Sequence, residues 1–251
     1  MAERGRGRGV IPTGRHLESE QKVSVSPRGV ARSLVLVVVS LTALSLLGQL
    51  AVHFLPDFVL RDRLVATFNL DEEGNISALY STLAILSCAG LLWVIARIER
   101  EAGGRWWRHW ALLSVIFVGL AVDEFLALHE EIDSRLDLSE VTQWSWVAVG
   151  IVFVAVVACI FLRMVVQLPR PVRRRFILAG LLYLSGTIVM ETVGGHYVTV
   201  WGHGSMAYAL CTTAEELLEM IGIVVFISAL LSYLTQGGRN VVLAVELEDG
   251  R

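Results

Sequence analysis

A chain of 251 residues that is 55% hydrophobic and 18% charged, with a mean hydropathy of +0.62, is too apolar for an ordinary soluble domain and reads as a multi-pass membrane protein. The formal net charge of -3 gives no ground for a nucleic-acid partner, and where the charges sit is more informative than their sum. Cys88, Cys159 and Cys211 are odd in number, far apart and set in apolar runs, which argues against a disulfide framework or a CxxC metal motif and leaves them as small buried hydrophobes.

Residues 1–32 carry Arg-Gly repeats (Arg4, Arg6, Arg8) and no apolar periodicity, the composition of a disordered basic tail. It is too long and polar for a signal-peptide n-region, and no A-x-A cleavage site follows the first apolar run, so that run is expected to be retained as a span. Six apolar runs follow at residues 33–55, 75–98, 109–129, 146–168, 176–196 and 212–234, each near the ~20 residues that cross the hydrocarbon core as a helix. None alternates as a barrel strand would, and a helix satisfies its own backbone in lipid. The expectation is an all-α six-helix transmembrane domain over residues 33–236, with a short tail at 237–251.

Of the 21 Lys and Arg, 18 fall on one side of this arrangement and only Arg61, Arg63 and Arg135 on the other. The positive-inside rule then places both termini in the cytoplasm of a bacterial inner membrane. Trp93, Trp106, Trp107 and Trp110 fall at the inner boundary and Trp144, Trp146 and Trp201 at the outer one, the depths amphipathic rings prefer.

The first external connection, residues 56–74, alternates Phe58, Val59, Leu64, Val65 and Phe68 with Arg61, Asp62 and Arg63, the pattern of an interfacial helix. Asn75 is placed to cap the second span. The preceding Asp71-x-Glu73-x-Asn75 resembles the start of a calcium loop but lacks the Gly at the sixth position and the Glu at the twelfth.

The third span takes on Asp123 and Glu124 and then His129, Glu130 and Glu131. An acidic residue at mid-helix costs about 3 kcal/mol, so each must face protein, water, a proton or a metal. On ideal helices Asp123 lies ~10 Å below Glu130, Glu191 ~7 Å below His196 and Glu219 ~9 Å below Thr213. Three spans thus deliver carboxylates to one level of the outer half. Asp123 and Glu130 share a face, as do Glu215 and Glu219, and Glu216 and Glu219. His129 is out of phase with Asp123, and His196 follows Gly194-Gly195, a pair expected to end or bend the fifth span.

No Lys or Arg occurs in the outer half of any predicted span, so protons, a water-filled cavity or a bound metal are expected to neutralise the acids. His53, His129, His196 and His203 all map to the outer side, and carboxylates with imidazoles suit a divalent Zn, Fe or Mn ion, alone or as a pair in a helix bundle. Simpler readings exist for some of these groups. Thr213 and Glu216 fit a capping box, with Glu215 beside them favoured by the helix dipole. His129, Glu130 and Glu131 fit the wet end of the third span, and His53 and His203 fit interfacial polar residues. Asp123, Glu124, Glu191 and Glu219 lie inside their spans and have no such reading.

The blocks Asn69-Leu-Asp71-x-Glu73-x-Asn75, Asp123-Glu124-x4-His129-Glu130 and Glu215-Glu216-x2-Glu219-Met220 resemble a group of bacterial and archaeal multi-pass membrane proteins that carry them in that order. The likeness spans about residues 55–230 and departs at Ser77, where the group has Pro. It implies no particular activity. The ceramidase-like and progestin-receptor-like seven-span hydrolases also place metal sites in membranes, but their His-x3-His in the last span and their seventh span are missing here.

The function expected from these residues is a divalent-metal site open to the periplasmic side, acting on a lipid-like substrate as a hydrolase or oxidoreductase. Asp123, His129, Glu130, Glu191, His196, Glu215 and Glu219 would be its metal ligands, and Glu124 and Glu216 its catalytic carboxylates. A proton- or cation-coupled carrier built on the same acids, or a non-catalytic membrane partner or sensor, are the alternatives.

Overall fold

Six helices long and apolar enough to span a membrane are present: Pro27–Phe54, Ile76–Glu101, Trp107–Leu126, Val149–Gln167, Arg170–Trp201 and Met206–Thr235. They belong to a computed structural model that describes residues 26–128 and 145–236. Among the described residues the chain is all helical, in the order α1 (Pro27–Phe54), α2 (Val59–Phe68), α3 (Ile76–Glu101), α4 (Trp107–Leu126), α5 (Ser145–Gln167), α6 (Arg170–Leu184), a π-helical turn (Ser185–Met190), α7 (Glu191–Trp201) and α8 (Met206–Gln236). The fifth span is α6, the π turn and α7 joined end to end. Most of the expected N-terminal tail, and the tail at 237–251, lie outside the described residues.

Helix ends differ from the sequence expectation where local chemistry decides. α1 starts at Pro27, with Ser26 accepting a hydrogen bond from the Gly29 amide, so the last six residues assigned to the tail are helical. The fifth span does not end at Gly194-Gly195 but runs on to Trp201 and stops at Gly202, whose φ is 77°. A helix shielded from water keeps its glycines, and Gly194 is buried where α7 meets Tyr208 and Cys211 of α8. The last span starts at Met206, because Ser205 accepts from the Tyr208 amide at 3.2 Å. The capping box expected at Thr213 is therefore absent: Thr213 is interior, and its hydroxyl donates back to the Ala209 carbonyl at 2.7 Å.

Helix α2 lies against α1, with Val65 and Leu64 closing over Gly48 and Val59 and Leu60 left exposed. Its Arg61 contacts Asp57 and Asp62, each at 2.7 Å. Those partners, Asp62 first, hold the guanidinium above its ordinary pKa. The loop that follows is pinned by Asn69, buried, whose side-chain oxygen accepts from Gln49 at 2.8 Å and whose carbonyl accepts from Asn75 at 2.6 Å. Asn75 in turn caps α3 by accepting from the Ser77 and Ala78 amides at 2.8 and 3.1 Å, as its position predicts.

Helix α8 is the axis of the bundle: 56% of its most apolar stretch is buried, against 11–39% for the other five spans. It packs against α1, α3, α6, the π turn and α7, while α3 and α4 form the other close pair. The apolar core fills the half of the bundle nearer the first residues of α1. There Leu92, Ile95, Trp110, Met164, Val172 and Leu230 are fully buried, and the Phe226 ring sits 4.9 Å from both Phe117 and Phe176. Helix α5 is peripheral, with Val152 and Leu162 exposed. Cys88 and Cys211 are buried as expected, but Cys159 on α5 is exposed.

Candidate acidic site

The π turn locates the site. The Glu191 amide donates to the Gly186 carbonyl five residues back, opening the helix by one residue where it meets α8. Gly186 permits the contact, since a methyl group there would sit 2.7 Å from the Glu215 carbonyl oxygen and 2.7 Å from Glu219 Cγ. Turns of this kind inside α-helices are frequent at functional positions. Thr187, one residue on, holds its hydroxyl 2.9 Å from Glu219 Oε1 and 3.1 Å from the Tyr183 carbonyl, so one proton serves either acceptor.

Around this joint the carboxylates gather. Glu191 and Glu215 are in side-chain hydrogen-bond contact. Both lie at nearly the same distance from their helix ends, ~15 Å from Trp201 and ~14 Å from Met206 at the helical rise. Glu216 is within electrostatic range of Glu219, Glu124, Glu215 and Glu73, and Tyr183 within range of Glu219, Glu124, Glu216 and Asp123. Glu124, Glu215, Glu216 and Glu219 are half-buried and Glu191 is exposed. Because α8 starts seven residues before Thr213, Glu215 and Glu216 stand in its third turn, well inside a span.

Glu124 and Glu219 also line one narrow cleft, together with Tyr80, Ser81, Tyr183 and the apolar Ala84, Ile85, Met220 and Ile223. Its volume of ≈ 10 Å³ is about the room one water needs. The Tyr80 hydroxyl is buried there with no hydrogen-bond partner among the described residues.

The sequence-predicted set is thus divided. Glu124 and Glu219 share one cleft, Glu191 and Glu215 are neighbours across the joint, and Asp123 and Glu216 lie within electrostatic range of Tyr183. His196 is exposed on α7, and its ring contact is with the neighbouring Tyr197, at 6.2 Å. With the helix unbroken it points about 140° away from Glu191. His129 and Glu130 lie outside the described residues, beyond α4, which stops at Leu126 with Ala127 left-handed at φ 49°. Among the described residues no three His, Cys, Asp or Glu side chains are grouped closely enough to hold a metal ion.

Several participants escape the sequence reading. Asp71 accepts from the Tyr208 hydroxyl at 3.3 Å, Glu73 is within electrostatic range of Glu216, and Tyr80, Tyr183 and Thr187 supply hydroxyls. Asp71 and Glu73 sit in the Asn69–Asn75 block, so their spacing was visible, but their partners on α8 lie more than 130 residues away. His203 packs edge-on against Tyr208 at 5.2 Å, at the rim of the same loop.

No curated protein and no solved structure matches this sequence. Residues 31–234 match the family described as Domain of unknown function (DUF8692), and the chain, whose acidic site lies wholly inside that range, belongs to this family.

Proposed function

We propose that this protein takes up a proton or a cation at the acidic site within its span bundle and works as a proton- or cation-coupled membrane carrier, with the site facing the periplasmic side of a bacterial inner membrane. The observation that carries the reading is the joint itself: the π turn brings Gly186 against the Glu215 carbonyl and Glu219, and so sets Glu191, which follows it, beside the acids of α8. Carboxyls gathered inside a span bundle share a proton or need a cation. The π turn supports a carrier further, because interrupted helices at a buried charged site are how membrane carriers expose backbone to a ligand. Orientation rests on the Lys and Arg asymmetry, with 18 of 21 toward the side of the termini.

Metal-assisted chemistry on a lipid-like substrate is the second reading. It is favoured by Glu124 and Glu219 lining one cleft with Ala84, Ile85 and Ile223, a pair of oxygen donors beside apolar walls.

One experiment separates the two. The full chain is reconstituted in proteoliposomes under an imposed pH gradient, and its Zn, Fe and Mn content is measured after detergent purification. The carrier reading expects proton or cation flux that falls at least tenfold in Glu191→Gln and Glu215→Gln. Absence of flux, with a stoichiometric metal lost in the same variants, would replace it by the enzyme reading.

A further inference from the structure

The hairpin between α3 and α4, at the opposite end of the bundle from the acids, carries a second group of charges. Its turn is rigid. Gly103, with φ 68°, donates to the Arg100 carbonyl at 3.1 Å and Gly104 to the Glu99 carbonyl at 2.7 Å, the paired bonds that close a helix on a left-handed glycine. Three guanidiniums stand on two indoles there. Arg105 lies 4.9 Å from the Trp106 ring, and Arg100 and Arg108 lie 5.2 and 5.3 Å from the Trp107 ring. Trp106 is itself held, its Nε1 donating to Gln167 Oε1 at 3.1 Å and its ring edge-on to His109 at 4.7 Å.

The acids of the hairpin are engaged elsewhere. Glu101 pairs with Arg97 at 3.8 Å, and Glu99 accepts from the Tyr233 hydroxyl of α8 at 3.0 Å. Arg100, Arg105 and Arg108 therefore meet aromatic faces rather than carboxylates among the described residues. A guanidinium held over a ring by its charge accepts nothing from that ring and keeps N–H donors for another partner, and the fork they form suits two phosphate oxygens. The turn joins the spans Ile76–Glu101 and Trp107–Leu126, so it emerges where indole rings settle, at headgroup depth. Phospholipid headgroups are the phosphates found at that depth, and those with a net negative charge are the ones drawn to clustered guanidiniums.

We infer that the α3–α4 hairpin is a binding site for the headgroup phosphate of an anionic phospholipid, with Arg100, Arg105 and Arg108 as donors and Trp106 and Trp107 as the platform that holds them. The site is independent of the acidic one, and its occupant is a lipid and not a soluble anion.

The test is native mass spectrometry of the full chain released from nanodiscs of phosphatidylglycerol and phosphatidylcholine in equal parts. Wild type is expected to retain phosphatidylglycerol, and R100Q/R105Q/R108Q to lose it at least tenfold. W107L, which keeps every charge, is expected to lose it several-fold. R28Q/R32Q, which removes charge from the same side of the bundle, should stay within twofold of wild type. Should the glutamine triple fail to fold, R100K/R105K/R108K decides, since it keeps the charge, loses the fork, and should fall several-fold. Equal retention of phosphatidylcholine, retention unchanged in the triple variants, an R28Q/R32Q loss as large as theirs, or displacement of the lipid by millimolar inorganic phosphate would each overturn the assignment.

Discussion

Gly186 and Glu219 approach so closely that a single methyl group on the glycine would lie 2.7 Å from the glutamate Cγ. The π turn and the acidic face of α8 are held together by the absence of a side chain. Gly186→Ala forces the helices apart and is expected to destabilise the protein by about 1–3 kcal/mol. Gly222→Ala, whose methyl would meet the Tyr183 amide nitrogen at 2.9 Å, should behave alike. Gly180, with open space around it, is the control, and its alanine variant should match or exceed wild type. Thermal unfolding in detergent measures all three, and an unaffected Gly186→Ala would contradict the packing.

The start of α8 gives a second prediction. Ser205 caps the helix whereas Thr213 sits inside it. Ser205→Ala should then cost about 1 kcal/mol. Thr213→Val, which removes only a hydroxyl bonded back to a carbonyl that the helix already satisfies, should cost under about 0.5 kcal/mol. The reverse order in denaturation midpoints would restore a capping box at Thr213.

Ala127 is the one non-glycine residue with positive φ among the described residues. An L side chain in that region costs about 1–2 kcal/mol, so Ala127→Gly is expected to raise the thermal midpoint. A lowered midpoint would mean that the methyl group makes a contact worth more than the strain.

Thr187 links the two helices of the site through Glu219. Thr187→Val keeps the shape, removes the donor and leaves a half-buried carboxylate short of one hydrogen bond, a loss of about 1–3 kcal/mol. Thr187→Ser should recover most of it. In the proteoliposome assay the valine variant is expected to lower flux while the serine variant restores it, which a purely structural role would not require.

Buried Asn69 ties α1, the loop and the cap of α3 through Gln49 and Asn75. Asn69→Ala leaves the Gln49 amide without its acceptor and should destabilise by about 1–3 kcal/mol. Asp71→Asn, on the same loop but at its surface, should change the thermal midpoint little.

Much of the fold could be read from composition, because bilayer-crossing helices announce themselves by length and apolarity. All six spans appear within a few residues of where the runs place them, and Asn75 caps α3 as its side chain dictates. The misses have physical causes. Thr213 looked like a cap because Thr-x-x-Glu is a local signal, yet the apolar Met206-Ala-Tyr-Ala-Leu-Cys211 ahead of it extends the helix once Ser205 supplies the cap. Gly194-Gly195 looked like a terminus because glycine frees the chain in water, a freedom that a packed span does not exercise. The π turn leaves no periodic trace over six residues. For the site, the sequence set Glu191 level with Glu219, but with the fifth span ending at Trp201 and α8 starting at Met206 it is Glu215 that lies at the depth of Glu191, with Glu219 one turn further in. The hydroxyls of Tyr80, Tyr183 and Thr187 stayed hidden because such residues are common in spans and only tertiary contact singles them out.

The Phe226 ring, stacked on Phe117 and edge-on to Phe176, also bears on the choice between the two functions. Phe226 lies seven residues, ~10 Å at the helical rise, beyond Glu219 on α8, toward the end of that helix where Tyr233 meets Glu99. A molecule that reacts among the acids and leaves by the way it came has no need to pass these rings. An ion that crosses the membrane would have to pass that level, which makes Phe226 the residue on which transport would turn and catalysis would not.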